Sequence, residues 1–223
     1  MKDSAFQAIK DAIAASIRWI IGGNREEHER ARFMRALDAV SREAAEGGSP
    51  YAMVSWGGTL AARGQTDDAK SWYRKAADTG YAAGMYMLGR LHLSLGETEQ
   101  AEFWFRRAAV TGNPMLDAAA AGHPGAMYEL GLMLIKRGDT GEAELWFRKS
   151  ADSGIPEAMY QLGELSLERR KKREAESWFR KAAEIGDPGA MVKLGILLFA
   201  RGKSEEAQSW TQKATGTIFD RYR

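Results

Sequence analysis

Apolar residues recur along this chain at helical spacing, and no stretch shows the apolar–polar alternation of a strand. In the best-preserved stretch, residues 125–154, Met127, Leu130, Gly131 and Leu134 fall at i, i+3, i+4 and i+7, one helical face. Arg137-Gly138 ends that helix, because glycine adopts the left-handed cap conformation without strain. Ala143, Trp146, Phe147 and Ser150 repeat the spacing in a second helix, with Thr140 expected as its N-cap and Gly154 and Pro156 as its stop. Thr66, Thr98 and Ser204 are the corresponding expected caps elsewhere. The stretch therefore predicts a helical hairpin.

That hairpin recurs. Trp72, Trp104, Trp146, Trp178 and Trp210 are separated by 32, 42, 32 and 32 residues, and the methionines Met53, Met85, Met127, Met159 and Met191 keep the same steps. Gly57, Gly89, Gly131, Gly163 and Gly195 form a third column. Five units are expected over about 50–81, 82–113, 124–155, 156–187 and 188–215, within an array spanning 49–215. One hairpin cannot bury its apolar face alone, so neighbours must stack. The glycine column lets the second helix approach the first, at about 1 kcal/mol of helix propensity per residue. The Trp and Phe of each second helix are expected to supply most of the buried area. On that reading Trp146→Ala costs about 3–5 kcal/mol, and Trp210→Ala, at the end, less.

The Ala-Met-Tyr-x-Leu-Gly stretches (126–131, 158–163) and the Glu-Ala-Glu-x-Trp-Phe-Arg-Lys stretches (142–149, 174–181) give the chain its resemblance to a known family. It resembles the tetratricopeptide repeat family, and more closely its Sel-one-like relatives, over about residues 50–215. The resemblance implies an all-α, right-handed superhelical solenoid of stacked antiparallel helix pairs whose first helices line a concave side. The 32-residue unit is shorter than the family's usual one, and no cysteine is present to tie the hairpins as in secreted members.

Three places break the pattern. Near 113–123 the register slips by ten residues, where Ala118-Ala-Ala-Ala-Gly-His-Pro124 echoes Ala108-Ala-Val-Thr-Gly-Asn-Pro114. A partial duplication and a kink that reshapes the inner surface are both open readings. The fourth unit replaces its glycine turn with Glu168-Arg-Arg-Lys-Lys-Arg173, either a nucleic-acid patch or a solvated helix end. Residues 1–48 do not repeat. Ser4 and Gln7 suit a capping box, Phe6, Ile9, Ile13, Ile17 and Ile20 make an apolar stripe, and Gly22-Gly23 stops the helix. Asn24 starts another, with Phe33, Leu37, Val40 and Ala44 on one side. This hairpin either caps the array or docks on a partner, with self-association through the Phe6–Ile21 helix one possibility. Residues 216–223 read as a tail.

Composition narrows the function. Net charge is +2, from 32 basic and 30 acidic residues, which gives no global field to attract nucleic acid or anionic lipid. With no cysteine, thiolate catalysis and Cys-based zinc sites are excluded, and a reducing cytoplasm is the expected home. The N-terminus does not read as a signal peptide or a membrane span, because Lys10, Asp11 and Arg18 interrupt its apolar stretch. No phosphate loop, nucleophile elbow or dinucleotide fingerprint is present, and His28, His92 and His123 lie in different units without motif partners. His92 fills the slot held by Leu60, Leu134, Ser166 and Leu198 elsewhere and reads as packing. No metal, cofactor or catalytic residue is expected.

Binding is what remains. Columns that differ from unit to unit are free of packing duty, and in first helices they are Ser55/Met87/Glu129/Gln161/Lys193, Gly58/Arg90/Leu132/Glu164/Ile196 and Ala62/Ser94/Lys136/Glu168/Ala200. Beside them run Val54, Tyr86, Tyr128, Tyr160 and Val192. The expected contact set is Tyr86, Arg90, Tyr128, Glu129, Leu132, Lys136, Tyr160, Gln161, Glu164 and Glu168, suited to a peptide or helix with apolar and charged contacts. The tyrosines could instead only pack between units. Three functions stay open: a scaffold holding a partner protein's segment, a nucleic-acid or anionic-surface binder using the basic column (Arg74-Lys75, Arg106-Arg107, Arg148-Lys149, Arg180-Lys181, Lys213), and a regulatory subunit docking through the N-terminal hairpin.

Overall fold

The computed structural model describes residues 27–112 and 122–221, with side chains over 32–112 and 122–217. The helix expected over 6–21, its capping box and stop, the start at Asn24, the His28 side chain and most of the insertion at 113–123 lie outside these. Among the described residues there are eleven helices and no strand: α1 (Glu27–Glu46), α2 (Pro50–Ala62), α3 (Thr66–Asp78), α4 (Ala82–Ser94), α5 (Thr98–Val110), α6 (Pro124–Arg137), α7 (Thr140–Asp152), α8 (Pro156–Glu168), α9 (Lys172–Glu184), α10 (Pro188–Ala200) and α11 (Ser204–Arg221). The fold is an all-α repeat solenoid of paired adjacent helices. Two compact units make it up: α1 to α4 with α5 through Arg107, and Ala108–Val110 with α6 to α11.

Local chemistry sets the helix ends. Four first helices begin with proline, whose missing N–H is no loss at that position. Ser49 and Asp187 cap α2 and α10 by accepting from the Ala52 and Ala190 amides at 3.4 and 2.6 Å. The threonines expected to cap second helices sit one residue inside them. Thr66 and Thr98 donate back to the carbonyls of Gly64 and Gly96 instead. Gly138 takes the left-handed conformation that ends α6 (φ 92°), and in the fourth hairpin Arg170 is forced into the same region (φ 59°).

The glycine column is a set of sockets. A Cβ at Gly57 would stand 2.7 Å from the Tyr73 ring, and one at Gly131 or Gly163 would stand 2.5 Å from Phe147 or Phe179. These rings, rather than the tryptophans, fill the hairpins: Tyr73, Phe105, Phe147 and Phe179 are 0–1% exposed. Trp104 is buried too, but Trp72, Trp146, Trp178 and Trp210 are half-buried, and each of those four has the lysine one turn on (Lys75, Lys149, Lys181, Lys213) 4.0–4.5 Å above its ring. The sequence expectation for the tryptophans is corrected accordingly. Aromatic rings next to the backbone socket carry the core, and the neighbouring indoles serve as platforms for cations.

The helix before the first repeat is itself in repeat register. In α1, Asp38 pairs with Arg63 across 25 positions, as Glu144 pairs with Arg169 and Glu176 with Arg201. Ala45 is buried, and Gly48 has φ 91°, matching Ala77 and Gly80 (82°) in the next hairpin. Thus α1 packs on α2 in the position of a second helix.

Candidate binding faces

Each face is built on first helices. In the first unit, Tyr86 of α4 lies half-buried with its ring centroid 6.0 Å from that of Phe105, and the exposed Arg90 holds its guanidinium 5.8 Å from the Tyr86 centroid. In the second unit, the Tyr128 and Tyr160 rings lie 6.0 and 5.5 Å from Phe147 and Phe179 of their own hairpins. Tyr128 lies beside Gln161 on the next first helix. Lys193 of α10 lies beside Tyr160, its ammonium 6.0 Å from the ring centroid, and donates at 3.0 Å to Glu164 Oε2. The tyrosines therefore brace consecutive first helices and are structural as well as surface residues. Burial holds the Tyr128 hydroxyl above its usual pKa.

Around them the predicted residues divide. Glu129, Leu132, Gln161 and Glu164 are half-buried, while Lys136 and Glu168 are exposed. Glu164 Oε1 has no hydrogen-bond partner. Three apolar residues of α10 missing from the expected set belong to this surface: Val192 is 39% exposed, Ile196 59% and Phe199 69%. The signal was in the sequence, since Thr211 interrupts the column Tyr73, Phe105, Phe147, Phe179 and leaves the residues opposite it uncovered.

The basic column is spoken for. Arg148 binds Glu144 at 2.7 Å and Glu174 of the next hairpin at 3.2 Å, and Arg180 binds Glu176 and Glu206 in the same way. Arg106 pairs with Glu102 at 2.9 Å, and Arg74 lies 4.6 Å from the Trp104 centroid. Within the run at 168–173, Arg169 pairs with Glu144 and Lys171 with Glu174. Hydrogen bonds from Lys171 and Arg148 hold Glu174 below its usual pKa, and those from Arg180 and Lys203 do the same for Glu206. In Glu144, partial burial pushes the pKa up but is outweighed by Arg148 and Arg169, leaving it lowered.

Neither His92 nor His123 holds a reactive arrangement. His92 is buried with Nδ1 on Glu97, whose pKa this hydrogen bond lowers, and its Nε2 has no partner. His123 caps α6, its Nδ1 accepting from the Ala126 amide at 3.3 Å, and burial lowers its pKa to about 4. Among the described residues no group of three His, Asp or Glu side chains could hold a metal, and no helix is long and apolar enough to cross a membrane.

Stacked helical hairpins with variable first-helix faces define a helical repeat protein. Tetratricopeptide repeat models match residues 54–114, 111–156 and 188–213, and a Sel1 repeat model matches 156–187. The chain belongs to the tetratricopeptide repeat family, with a Sel1 repeat as its fourth hairpin. Proteins built of these repeats are generally protein–protein interaction scaffolds and typically non-catalytic. No curated protein matches the chain. Among solved structures it is similar to a Sel1 repeat protein from Oxalobacter formigenes, at 21% identity over 96% of this chain and 97% of that one, with a TM-score of 0.66. It is also similar to c5321, a protective antigen of uropathogenic Escherichia coli displaying an SLR fold (23%, 97% and 50%, 0.65). A third likeness is to YrrB, a tetratricopeptide repeat protein with an unusual peptide-binding site (19%, 79% and 91%, 0.52).

Proposed function

We propose that this protein is a non-catalytic scaffold that holds a peptide or helix of a partner protein on its first-helix faces, chiefly that of α6, α8 and α10. The observation that carries this is the contrast between columns. Core positions hardly change from hairpin to hairpin, whereas Leu132, Lys136, Glu164, Glu168 and Ile196 change and stand at least partly open. The mixture of apolar and oppositely charged groups suits a protein segment better than a nucleic acid. The pairing of the outer arginines with carboxylates supports the same choice, since paired charges release few counterions on binding phosphate.

Because Tyr128 and Tyr160 brace the fold, their truncation would confuse lost binding with lost stability. The test uses exposed positions. Wild type and Lys136→Glu/Glu168→Lys are used as baits in lysate from the native host, with melting curves run on both. A protein captured by wild type and lost from an equally stable variant supports the face. Equal capture by both removes it. The alternative of docking through the N-terminal hairpin is tested by the same capture with residues 1–26 deleted, which leaves the packing of α1 on α2 in place.

A further inference from the structure

The fifth hairpin lacks what the others use to close themselves. In the second to fourth hairpins a Tyr of the first helix and a Phe of the second meet over the glycine socket. In the fifth, Val192 and Thr211 occupy those positions. The Thr211 hydroxyl turns to its own helix, donating to the carbonyls of Ala207 and Gln208 at 3.2 and 2.9 Å. Only its methyl faces Gly195. A cleft of about 450 Å³ results, bordered by Gly195, Ile196, Phe199, Ala207, Gln208 and Thr211. It is open to solvent and its walls are mostly apolar.

The surface leading to this cleft is acidic. Glu157, Glu164 and Glu168 form one stripe on α8, and with Glu129 they make four carboxylates against the two cations Lys136 and Lys193. Glu164 Oε2 holds Lys193 and its Oε1 is buried, so the exposed carboxylates of the stripe are Glu157 and Glu168. A partner complementary to this stretch carries positive charge near an aromatic anchor.

We propose that the fifth hairpin is the anchoring end of the binding face, taking a Phe or Tyr side chain from a partner segment whose basic residue lies against the α8 carboxylates. The guest ring would occupy the gap that Phe147 and Phe179 fill from within their own hairpins. This rests on the binding face proposed above.

A random-peptide phage library panned on the full chain tests it. The expected selection is peptides pairing Phe or Tyr with Lys or Arg. Thr211→Phe supplies the missing ring in cis. It should melt no lower than wild type and bind the selected peptides about tenfold or more weaker. Ile196→Ser/Phe199→Ser removes the exposed apolar rim without touching the core and should weaken them likewise, which covers the case of a poorly folding Thr211→Phe. Glu157→Gln/Glu168→Gln should lower affinity for the basic peptides and flatten its salt dependence. Selected peptides without aromatic residues, or undiminished binding to both cleft variants, overturn the proposal. If the same peptides are lost with Lys136→Glu/Glu168→Lys but not with the cleft variants, the face stands and the anchor falls. Failure to select any peptide overturns both.

Discussion

At the scale of single residues, position within the socket decides what each side chain is worth. Gly131→Ala and Gly163→Ala exchange glycine for the best helix former, which on an open helix would stabilise by about 1 kcal/mol. Here the added methyl would stand 2.5 Å from a buried ring, so both should instead destabilise by about 1–3 kcal/mol, read by urea unfolding. The rings themselves carry more. Phe147→Ala should cost about 3–5 kcal/mol, and Trp146→Ala, at a half-buried platform, clearly less. Equal losses would mean that the indole is part of the core after all. The glycine and aromatic columns were legible in the sequence because each repeats five or four times. Which of two adjacent aromatics points inward was not, since periodicity places both near the buried face and only the approach of the first helix separates them.

At the scale of helices and their ends, the turn of the fourth hairpin is the weak joint. Arg170 pays the left-handed penalty that Gly138 avoids, so Arg170→Gly should raise stability by about 1 kcal/mol, seen as a higher melting temperature. The cap of α6 makes that helix acid-sensitive. His123 must be neutral to accept from the Ala126 amide, and its pKa falls from 6.5 to about 4 on folding. Below pH 6.5 the unfolded chain takes up a proton that the folded one refuses, so stability falls from pH 6.5 toward 4, by up to about 3 kcal/mol. His123→Asn keeps an acceptor at the cap and should remove this portion of the slope in melts across that range. The repeating hairpins could be read directly from the sequence. The membership of α1 is not legible in the sequence, although Ala44-Ala45-x-x-Gly48 matches Ala76-Ala77-x-x-Gly80, because α1 has neither the Trp nor the adjacent aromatic that mark α3, α5, α7 and α9.

At the scale of the whole molecule, charge links one hairpin to the next. Glu144, Glu174 and Glu206 all titrate below the ordinary 4.5, so their contribution is complete above that pH and is lost as pH falls through their lowered values. Melting temperature should therefore drop below pH 4.5. Added salt should lower it at pH 7, and the effect should shrink as pH falls through the lowered carboxylate pKa values. A salt response that stays the same size through the acid transition would show that the pairs contribute nothing. This network was invisible as a stripe of basic residues because its partners stand 25 and 26 positions away, in the following hairpin. That offset carries an evolutionary consequence. A tandem copy of residues 156–187 would set the copied Arg169 on Glu176 and the copied Glu174 on Arg180, while its own Glu176 and Arg180 met Arg201 and Glu206. Every junction such a duplication needs already exists in the chain, so the gene can lengthen by whole units, and extend its reach along a longer partner, without a compensating mutation.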